Sequence, residues 1–501
     1  MKKLIPLLLI ICSFQVEAQL WNQNQKVVAS DRSVRDYFGE SVHLNADRAI
    51  VGASATNGNI NENFVGSAYI LDKDANGLWN ETQILYASDA KSGDNFGNDV
   101  IIDGNYAYVA AITEGSTINS YDGAVYVFEL NINGVWSEIQ KITPTDRTLY
   151  NNFGKSIKVE GNTLVIGANY TFGTGGAVLI FEKDANDIWN EIQIIQSLDA
   201  ESYDEFGSSV SIDGQYILIG TPKEDSQLTD NSGAAYIFKK NNLGIWEEQQ
   251  KLIPNTRHIN SYFGYNVAIK GDFAFISAPY ESDFDNSLFE FGAVYIFKKG
   301  ANNVWTEHQK LLASDLYNND RFGNEIDINE GNLIIGAYNK SVYTNGTTYY
   351  NEAGSVYFFK KDNAGYWNEL EDLTPSPRHN FARFGNSLSM NNNEVLIGAY
   401  FEDRNENNLN SIQDAGACYF FESSTLNLSE YNLANITLFP NPTTDFIYLT
   451  NMKNKENYKI YNMVGSLIME GQINNKINVQ NLNSGVYLLN IKNTTINFIK
   501  K

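Results

Sequence analysis

The chain has 501 residues, of which 43% are hydrophobic and 13% aromatic, and it carries a formal net charge of −23 at pH 7. This apolar content is typical of a folded protein and excludes a wholly disordered one. The negative charge disfavours nucleic acid and anionic membranes as partners, and it leaves cations and basic surfaces as candidates.

Residues 1–18 predict a cleaved signal peptide. Two lysines near the N-terminus precede an apolar segment at residues 4–12, and the Val-Glu-Ala sequence at residues 16–18 fits a cleavage site before Gln19. The apolar segment is too short to span a membrane, so we expect no transmembrane segment in the mature chain. A lipid-anchored Cys12 is the alternative, but Ile10 and Ile11 stand where small residues are needed. Cleavage leaves Cys418 as the single cysteine, which excludes an internal disulfide.

From Trp21 to Phe421 one unit of about 57 residues occurs seven times. In every copy a Phe-Gly pair begins seventeen residues after a Trp, and a small residue that ends an apolar run lies fourteen residues after that Phe. The Trp and Phe pairs are Trp21/Phe38, Trp79/Phe96, Trp136/Phe153, Trp189/Phe206, Trp246/Phe263, Trp305/Phe322 and Trp367/Phe384. A fixed period with fixed internal spacing indicates a single structural unit that is repeated.

Each unit contains four short apolar or alternating segments separated by turn residues, which predicts four β-strands. Asp213-Gly214 exemplifies the tight turn between the first and second strands, and Asn133-Gly134 the turn between the third and fourth. Four antiparallel strands per unit, without a helical pattern, predict an all-β, seven-bladed β-propeller. The first copy begins with a fourth strand at Trp21 and the last copy ends with a third strand at residues 416–421. We therefore expect the N-terminal strand to complete the last blade and remove both open edges.

The Phe-Gly pair followed by an apolar run and Gly-Ala, as at Phe322-Gly323 and Gly336-Ala337, resembles the FG-GAP repeat. This family includes the integrin α-subunit head and many secreted bacterial proteins, and the resemblance implies a seven-bladed propeller at residues 19–421. Calcium-binding integrin blades carry an Asp-x-Asp-x-Asp-Gly loop between the first two strands. Here a two-residue turn such as Asp103-Gly104 takes that place, so the integrin calcium sites cannot be carried over.

Alternating strands place the two tight hairpins of each blade on one face of the disc and the two long connections on the other. We call the second face the long-loop face. Its loops vary in length, and variable loops on a rigid scaffold are where binding sites are usually built. We predict that the protein recognises an extracellular protein or glycan there. Aromatic residues in these loops, such as Tyr280 and Phe284, either contact that partner or pack among the loops themselves.

Two loops on this face are candidate calcium sites. Glu281, Asp283 and Asp285 lie in one loop, and Asp403, Asn405, Asn407 and Asp414 lie in another. Oxygen donors at alternate positions suit calcium, which takes six to eight oxygen ligands. The alternative is that these side chains cap turns through their own backbone and remain solvated.

No catalytic motif is recognisable. The chain has four histidines but no His-Glu-x-x-His, Gly-x-Ser-x-Gly or Cys-His arrangement. We therefore predict a non-enzymatic adhesion or binding protein of the secreted or cell-surface class. Two alternatives stay open: a secreted polysaccharide hydrolase or lyase using carboxylates on the long-loop face or in the central channel, and a passive surface scaffold.

After Phe421 the repeat stops. Residues 422–435 indicate a polar linker, and the alternating apolar segments of residues 436–501 predict a small β-sandwich. This last segment resembles the type A sorting domain of type IX secretion cargo, through Pro440, Asn441, Pro442, Gly465, Gly471, Gly485, Tyr487, Lys500 and Lys501. The resemblance implies the type IX machinery and its sorting protease as partners, and a final location outside the cell, released or attached to the surface. A stand-alone binding module is the alternative.

Overall fold

The computed structural model describes residues 21–58, 64–115, 121–147, 150–171, 175–225, 230–344, 348–423, 438–449, 456–462, 467–473, 476–491 and 494–501. The expected signal peptide and residues 424–435 of the expected linker lie outside these ranges. The chain divides into two compact units, with the boundary between Ser424 and Thr425. The described residues form strands and turns, and none of them belongs to a helix long and apolar enough to cross a membrane.

Within the described residues, the first unit contains seven four-stranded antiparallel sheets, one for each repeat. The first four blades comprise Ser41–Asn45 (β2), Arg48–Ala53 (β3), Ser67–Lys73 (β4), Trp79–Leu85 (β5); Phe96–Asp103 (β6), Tyr106–Ala111 (β7), Ala124–Leu130 (β8), Trp136–Ile142 (β9); Tyr150–Glu160 (β10), Thr163–Thr171 (β11), Ala177–Lys183 (β12), Trp189–Ile195 (β13); and Ser209–Asp213 (β14), Tyr216–Thr221 (β15), Ala234–Lys240 (β16), Trp246–Leu252 (β17).

The remaining three blades follow the same order. They comprise Val267–Lys270 (β18), Phe273–Ala278 (β19), Ala293–Lys299 (β20), Trp305–Leu311 (β21); Ile326–Asn329 (β22), Asn332–Ala337 (β23), Ser355–Lys361 (β26), Trp367–Leu373 (β27); and Leu388–Asn391 (β28), Glu394–Ala399 (β29), Ala417–Ser423 (β30) with Trp21–Val27 (β1). A small hairpin, Val342–Thr344 (β24) and Thr348–Tyr350 (β25), lies within the long connection of the sixth blade. The prediction of an all-β, seven-bladed propeller is confirmed.

The N-terminal strand β1 is the outermost strand of the seventh blade. It pairs antiparallel with β30, with Trp21 opposite Ser423 and Val27 opposite Cys418. Trp79, from the first blade, stacks on Phe420, from the seventh, with ring centroids 4.4 Å apart. These are the contacts that closure of the ring requires, because they give the edge of β30 a backbone partner and join the last blade to the first.

The repeated aromatic residues form the packing layers between neighbouring blades. The Phe of each Phe-Gly pair is fully buried, and the seven tryptophans are no more than 4% exposed. Burial of one such side chain is worth about 1.5–3 kcal/mol. Cys418 is buried in the layer between the seventh and first blades, and burial raises the pKa of its thiol far above the ordinary value. These residues pack neighbouring blades together.

The fourth residue after each Trp forms a second link between blades. Gln250 Oε1 accepts a hydrogen bond from the Trp305 amide at 2.8 Å, and Gln250 Nε2 donates one to the Trp305 carbonyl at 2.7 Å. The same pair of hydrogen bonds joins Gln25 to Trp79, Gln83 to Trp136, Gln140 to Trp189, Gln193 to Trp246 and Gln309 to Trp367. At the seventh position Glu371 accepts the Trp21 amide. Each outer strand is therefore tied to the next blade through backbone groups.

The second unit consists of two small sheets around one apolar core. One sheet contains Leu438–Phe439 (β31), Phe446–Leu449 (β32) and Lys476–Asn478 (β35). The other contains Leu467–Ile473 (β34), Glu456–Asn462 (β33), Gly485–Ile491 (β36) and Thr494–Lys500 (β37). The core between them is formed by Ile447, Ile460, Ile473, Ile477, Val479, Leu489, Ile491 and Phe498.

Asn441, Gly485, Tyr487 and Lys500, four of the residues that carry the sorting-domain resemblance, lie in or beside the C-terminal strand. Ile499 N donates a hydrogen bond to Asn441 Oδ1 at 2.9 Å, and Lys501 N donates one to the Thr443 carbonyl at 2.8 Å. Tyr487 is buried, and its hydroxyl donates to the Asn483 carbonyl at 2.9 Å. Gly465 lies outside the described residues. The segment that contains Pro440 and Pro442 is thus fixed against the strand that ends with Lys500.

Candidate binding site on the long-loop face

Exposed aromatic side chains of the propeller lie almost entirely on one face. Among the described residues of this unit, eleven Phe and Tyr side chains are at least 36% exposed, and ten of them belong to the long connections or to strand ends beside them. These ten are Phe64, Tyr121, Tyr170, Tyr203, Tyr265, Phe284, Phe289, Tyr317, Tyr349 and Phe381. Tyr366, in a hairpin on the opposite face, is the eleventh. These rings remain exposed to solvent in the folded loops. The number of exposed rings therefore differs between the two faces of the propeller.

The residue before each Phe-Gly pair adopts a left-handed backbone conformation. Its φ angle lies between 54° and 63° at Tyr37, Asn95, Asn152, Glu205, Tyr262, Arg321 and Arg383. Asn tolerates this region, but Tyr, Arg and Glu occupy it only at an energetic cost of about 1–2 kcal/mol. Five of the seven blades therefore carry a side chain at this position that the backbone does not favour.

Three of these side chains (Tyr37, Arg321 and Arg383) and their neighbours form a stacked series, which we call the Tyr–Arg ladder. It contains Tyr265, Tyr280, Arg321, Tyr338, Arg383, Phe401 and Tyr37, from the fifth, sixth, seventh and first blades. The Arg321 guanidinium lies 4.7 Å from the Tyr280 ring centroid, and the Arg383 guanidinium lies 5.5 Å from Tyr338 and 4.6 Å from Phe401. From Tyr280 to Phe401, aromatic and cationic groups therefore alternate along the ladder.

Hydrogen bonds and ion pairs hold the ladder in place. Arg321 Nη1 donates to the Tyr338 hydroxyl at 2.8 Å, and Arg383 Nη1 donates to the Tyr400 hydroxyl at 2.8 Å. Glu290 pairs with Arg321 at 2.9 Å, and Glu352 pairs with Arg383 at 3.3 Å. The two guanidinium charges of the ladder are thus each matched by a carboxylate.

The backbone below the ladder is fixed by contacts between successive blades. Tyr37 N and Phe38 N donate hydrogen bonds to the Asp414 and Ala415 carbonyls, and Asn95 N and Phe96 N repeat this with Phe64 and Val65. The second Gly of each repeat permits this approach: a Cβ added at Gly416 would lie 2.1 Å from the Phe38 carbonyl oxygen. The long loops therefore sit on a rigid frame.

The ladder borders the mouth of a central channel with a cavity volume of about 620 Å³. Tyr265, Tyr338 and Tyr400 line it beside the first strands of the blades. Much of its polar lining ties those strands together, because side chains accept backbone N–H groups from the next blade. The donor–acceptor distances are 2.8–3.3 Å. The pairs, with the backbone N–H donor first, are Val100 to Ser41, Ile157 to Asp99, Val210 to Ser156, Val267 to Ser209 and Ile326 to Asn266.

Titratable groups of the channel are strongly shifted. Burial raises the pKa of Glu325 to about 8 against the opposing charge of Lys158, and Glu325 accepts a hydrogen bond from Asn266 at 2.9 Å. Burial also raises the pKa of Asp99 and of Asp327, while burial and Lys158 lower the pKa of His43 to about 3. At neutral pH Glu325 is therefore largely protonated and His43 is uncharged.

The repeated aspartates before Phe-Gly are engaged within the fold. In four blades the first Asp accepts a tyrosine hydroxyl, at Tyr69–Asp31, Tyr126–Asp89, Tyr236–Asp199 and Tyr357–Asp315, over 2.6–2.9 Å. The second Asp accepts the amide three residues earlier, as Asp94 does from Lys91 at 2.8 Å. Burial raises the pKa of Asp36, of Asp94 and of Asp204 to about 6. The acidic pattern of the sequence thus stabilises the loops.

Several of the expected calcium ligands make contacts inside the protein. Glu281 accepts hydrogen bonds from Lys310 at 2.8 Å and Tyr295 at 3.1 Å, and Asp283 accepts the Asn286 amide at 3.1 Å. Asp403 Oδ1 accepts the Asp414 amide at 2.8 Å, and Asn405 Oδ1 accepts the Leu409 amide at 3.0 Å. Asp285 and Asn407 are exposed.

The described ranges contain no group of three or more His, Cys, Asp or Glu side chains arranged to hold a metal ion. In the second loop Asp403 and Asn405, the two oxygen donors that begin the alternating pattern, already accept backbone amides of the loop. A calcium ion there would have to compete with these hydrogen bonds, so calcium binding stays a prediction.

The sequence interpretation pointed to the long-loop face but missed the ladder. Its signal was present, because the position before Phe-Gly is Tyr or Arg in four blades and Asn in two others. The role of that position could not be recognised from the sequence, because it depends on the left-handed backbone, which places the side chain beside the tyrosines that follow the second strands.

Comparison with known proteins identifies both units. The model of the FG-GAP repeat matches residues 21–71, 79–128, 136–181, 189–238, 246–297, 305–359 and 367–421. The model of the secretion system C-terminal sorting domain matches residues 437–501. Both resemblances proposed from the sequence are confirmed.

Individual proteins are more distant. The chain is 30% identical over 106 residues to a protein named ulvan lyase NLR42 from Nonlabens ulvanivorans, which is 20% of this chain and 17% of that protein. The chain therefore spans less than a fifth of the length of this curated relative. A crystal structure of a protein from Lactobacillus plantarum has a TM-score of 0.43 and 12% identity, covering 67% of this chain and 84% of that one.

Proposed function

The chain belongs to the FG-GAP repeat family, and from this premise we propose that it is a binding protein that recognises an extracellular partner through the long-loop face of its propeller. Its type IX sorting domain makes it a secreted protein of the outer cell surface and a client of the type IX machinery. We also propose that a sorting protease acts on the exported protein, which is then released or attached to the cell surface.

The observation that carries this proposal is the one-sided distribution of exposed aromatic rings. Tyr and Phe supply large, rigid contact area at a small loss of side-chain entropy, and a monomeric protein rarely leaves many of them exposed together without a partner. Ten such rings occur on the long-loop face and one on the other, within the described residues. We take this asymmetry to favour a binding surface over a passive scaffold.

The rigid frame of the face supports the same conclusion. Backbone hydrogen bonds join each long connection to the loop of the next blade, and the ladder side chains are held by their own hydrogen bonds. A preorganised surface loses little conformational entropy when it binds, which favours affinity.

A secreted polysaccharide lyase or hydrolase is the second candidate. It is favoured by the channel, where Glu325 retains its proton at neutral pH and Asp99, Asp327 and Lys158 are close enough to affect it. A relative is named as a lyase, although the match covers only 17% of that protein. Against this candidate, Glu325 and Asp99 already accept hydrogen bonds from Asn266 and Ile157 of neighbouring blades, as structural side chains do.

The test is a binding screen of the mature protein against extracellular glycans and proteins, run with calcium and with a chelator. The proposal expects saturable binding without turnover, and dependence on calcium would support the predicted metal loops. Release of shorter or unsaturated sugars, abolished by Glu325→Gln, would favour the enzyme instead.

A further inference from the structure

We propose that the partner of the Tyr–Arg ladder is an uncharged glycan, whose sugar rings stack on the ladder at the channel mouth. This inference rests on the proposed function, because it names the ligand class for the same face. It is carried by the ring geometry, the balance of charge and the shape of the site.

The ladder presents one exposed ring, Tyr265, of the kind on which sugars stack. Tyr265 is 40% exposed at the channel mouth, while Tyr280 and Tyr338 are partly exposed and lie against Arg321 and Arg383. A pyranose ring carries a face of weakly positive C–H groups, which match the negative face of an aromatic ring. The planar guanidinium and carboxylate groups beside these rings can each meet two neighbouring sugar hydroxyls.

The charges of the site favour an uncharged ligand. Both ladder arginines are already paired with carboxylates, at 2.9 Å for Glu290 and 3.3 Å for Glu352. The channel below is lined by five acidic side chains (Glu40, Asp99, Glu205, Glu325 and Asp327) and three lysines. A polyanionic glycan would therefore meet no surplus positive charge at the mouth.

The shape of the site favours a saccharide over a protein segment. The mouth opens into a cavity of about 620 Å³, which falls within the usual range of small-molecule pockets, about 300–1,000 Å³. Its lining is mainly polar, whereas the centre of a protein–protein contact is usually apolar and depleted of charge. One or two sugar units fit this combination of aromatic rim and polar floor.

The test compares binding of the mature protein to immobilised neutral polysaccharides (a β-glucan, a mannan and a xylan) and to anionic ones (a polyuronate and a sulfated galactan). The chain offers its own folding-compatible variants, since Asn is the native residue before Phe-Gly at Asn95 and Asn152. Tyr37→Asn and Arg383→Asn are therefore expected to fold, and each should weaken binding to a neutral polysaccharide by about tenfold or more.

Tyr366→Ala is the matched control, because Tyr366 is 44% exposed on the opposite face. It should leave the affinity within about twofold of the parent. Stronger binding to the anionic polysaccharides, falling steeply with salt, would overturn the inference. Ladder-dependent binding to a surface protein with no glycan bound would overturn it too, yet leave the proposed function standing. Neutral-polysaccharide binding that neither ladder variant weakens would overturn the inference and leave the proposed function standing.

Discussion

The Trp21 backbone amide donates a hydrogen bond to Glu371 Oε2 at 3.1 Å, across 350 positions of the chain. At the six other seams a Gln stands in the place of Glu371 and bonds both the amide and the carbonyl of the facing Trp. A carboxylate accepts the amide but has no hydrogen for the carbonyl. The seam between the sixth blade and the N-terminal strand of the seventh thus differs from the rest at one residue.

Deletion of Trp21–Val27 should destabilise the propeller and promote self-association. The deletion removes the Trp21 ring from its contact with Phe358, worth about 1.5–3 kcal/mol, and leaves the edge of β30 without a backbone partner. Thermal unfolding and light scattering of the mature protein check this, with a chain that starts at Trp21 as the control. A monomeric deletion variant with an unchanged Tm would contradict the role of β1.

Substitution of Gln250 should show what each interblade hydrogen bond contributes. Gln250→Ala loses both bonds to Trp305, and we expect a decrease of about 1–3 kcal/mol in the free energy of unfolding. Gln250→Glu keeps the acceptor, as Glu371 does, and should lose roughly half as much. Urea denaturation provides the measurement. Equal stability of all three proteins would mean that the outer-strand link is incidental.

Alanine substitution at two glycines with similar φ angles should have very different effects on stability. Gly233 and Gly244 have φ angles of 76° and 83°, so both substitutions carry a backbone cost of about 1–2 kcal/mol. At Gly233 the new Cβ would also lie 2.0 Å from the Phe263 carbonyl oxygen, whereas at Gly244 the nearest atom is Lys240 Cε at 3.8 Å. Gly233→Ala should therefore prevent folding or reduce Tm far more than Gly244→Ala. Similar Tm values would show that the interblade contact can relax.

The pH dependence of stability should respond to Glu325→Gln. The folded-state pKa of Glu325, about 8, lies above the ordinary value of 4.5, so the folded protein binds the proton more tightly than the unfolded chain does. Its contribution is therefore favourable at low pH and is lost as the pH rises from about 4.5 through 8. The glutamine variant should gain Tm relative to the parent at pH 9 but not at pH 4. A constant difference across this range would show that Glu325 titrates normally.

The sequence was sufficient for the fold because the signals that determine it are local and repeated. The spacing of Trp305 from Phe322, and the turn at Asp213-Gly214, recur in phase and specify strands, hairpins and blade packing. The pairing of β1 with β30 followed from counting strands at the two ends. The sequence interpretation did not find the Gln250–Trp305 link, because its meaning depends on a partner 55 residues away.

The site was only partly predictable from the sequence. Loop variability identified the long-loop face, but the acidic residues that stood out in the sequence, such as Asp89 and Glu281, are bonded within the fold. Arg321 and Arg383 did not stand out, since stacking on tyrosines from other segments is a property of the assembled blades. Contacts between residues of different blades are therefore difficult to predict from the sequence of a single repeat.

Oriented attachment gives the most direct measurement of whether the long-loop face binds the partner. Cys418, the single cysteine outside the expected signal peptide, is fully buried, so a cysteine introduced at an exposed leucine reacts selectively. Leu243, 84% exposed, lies in a hairpin on the opposite face, and Leu409, 76% exposed, lies in a long loop. Protein attached to a surface through Leu243→Cys should bind its extracellular partner, and protein attached through Leu409→Cys should bind little of it. Equal binding in the two orientations, or the reverse order, would contradict the account.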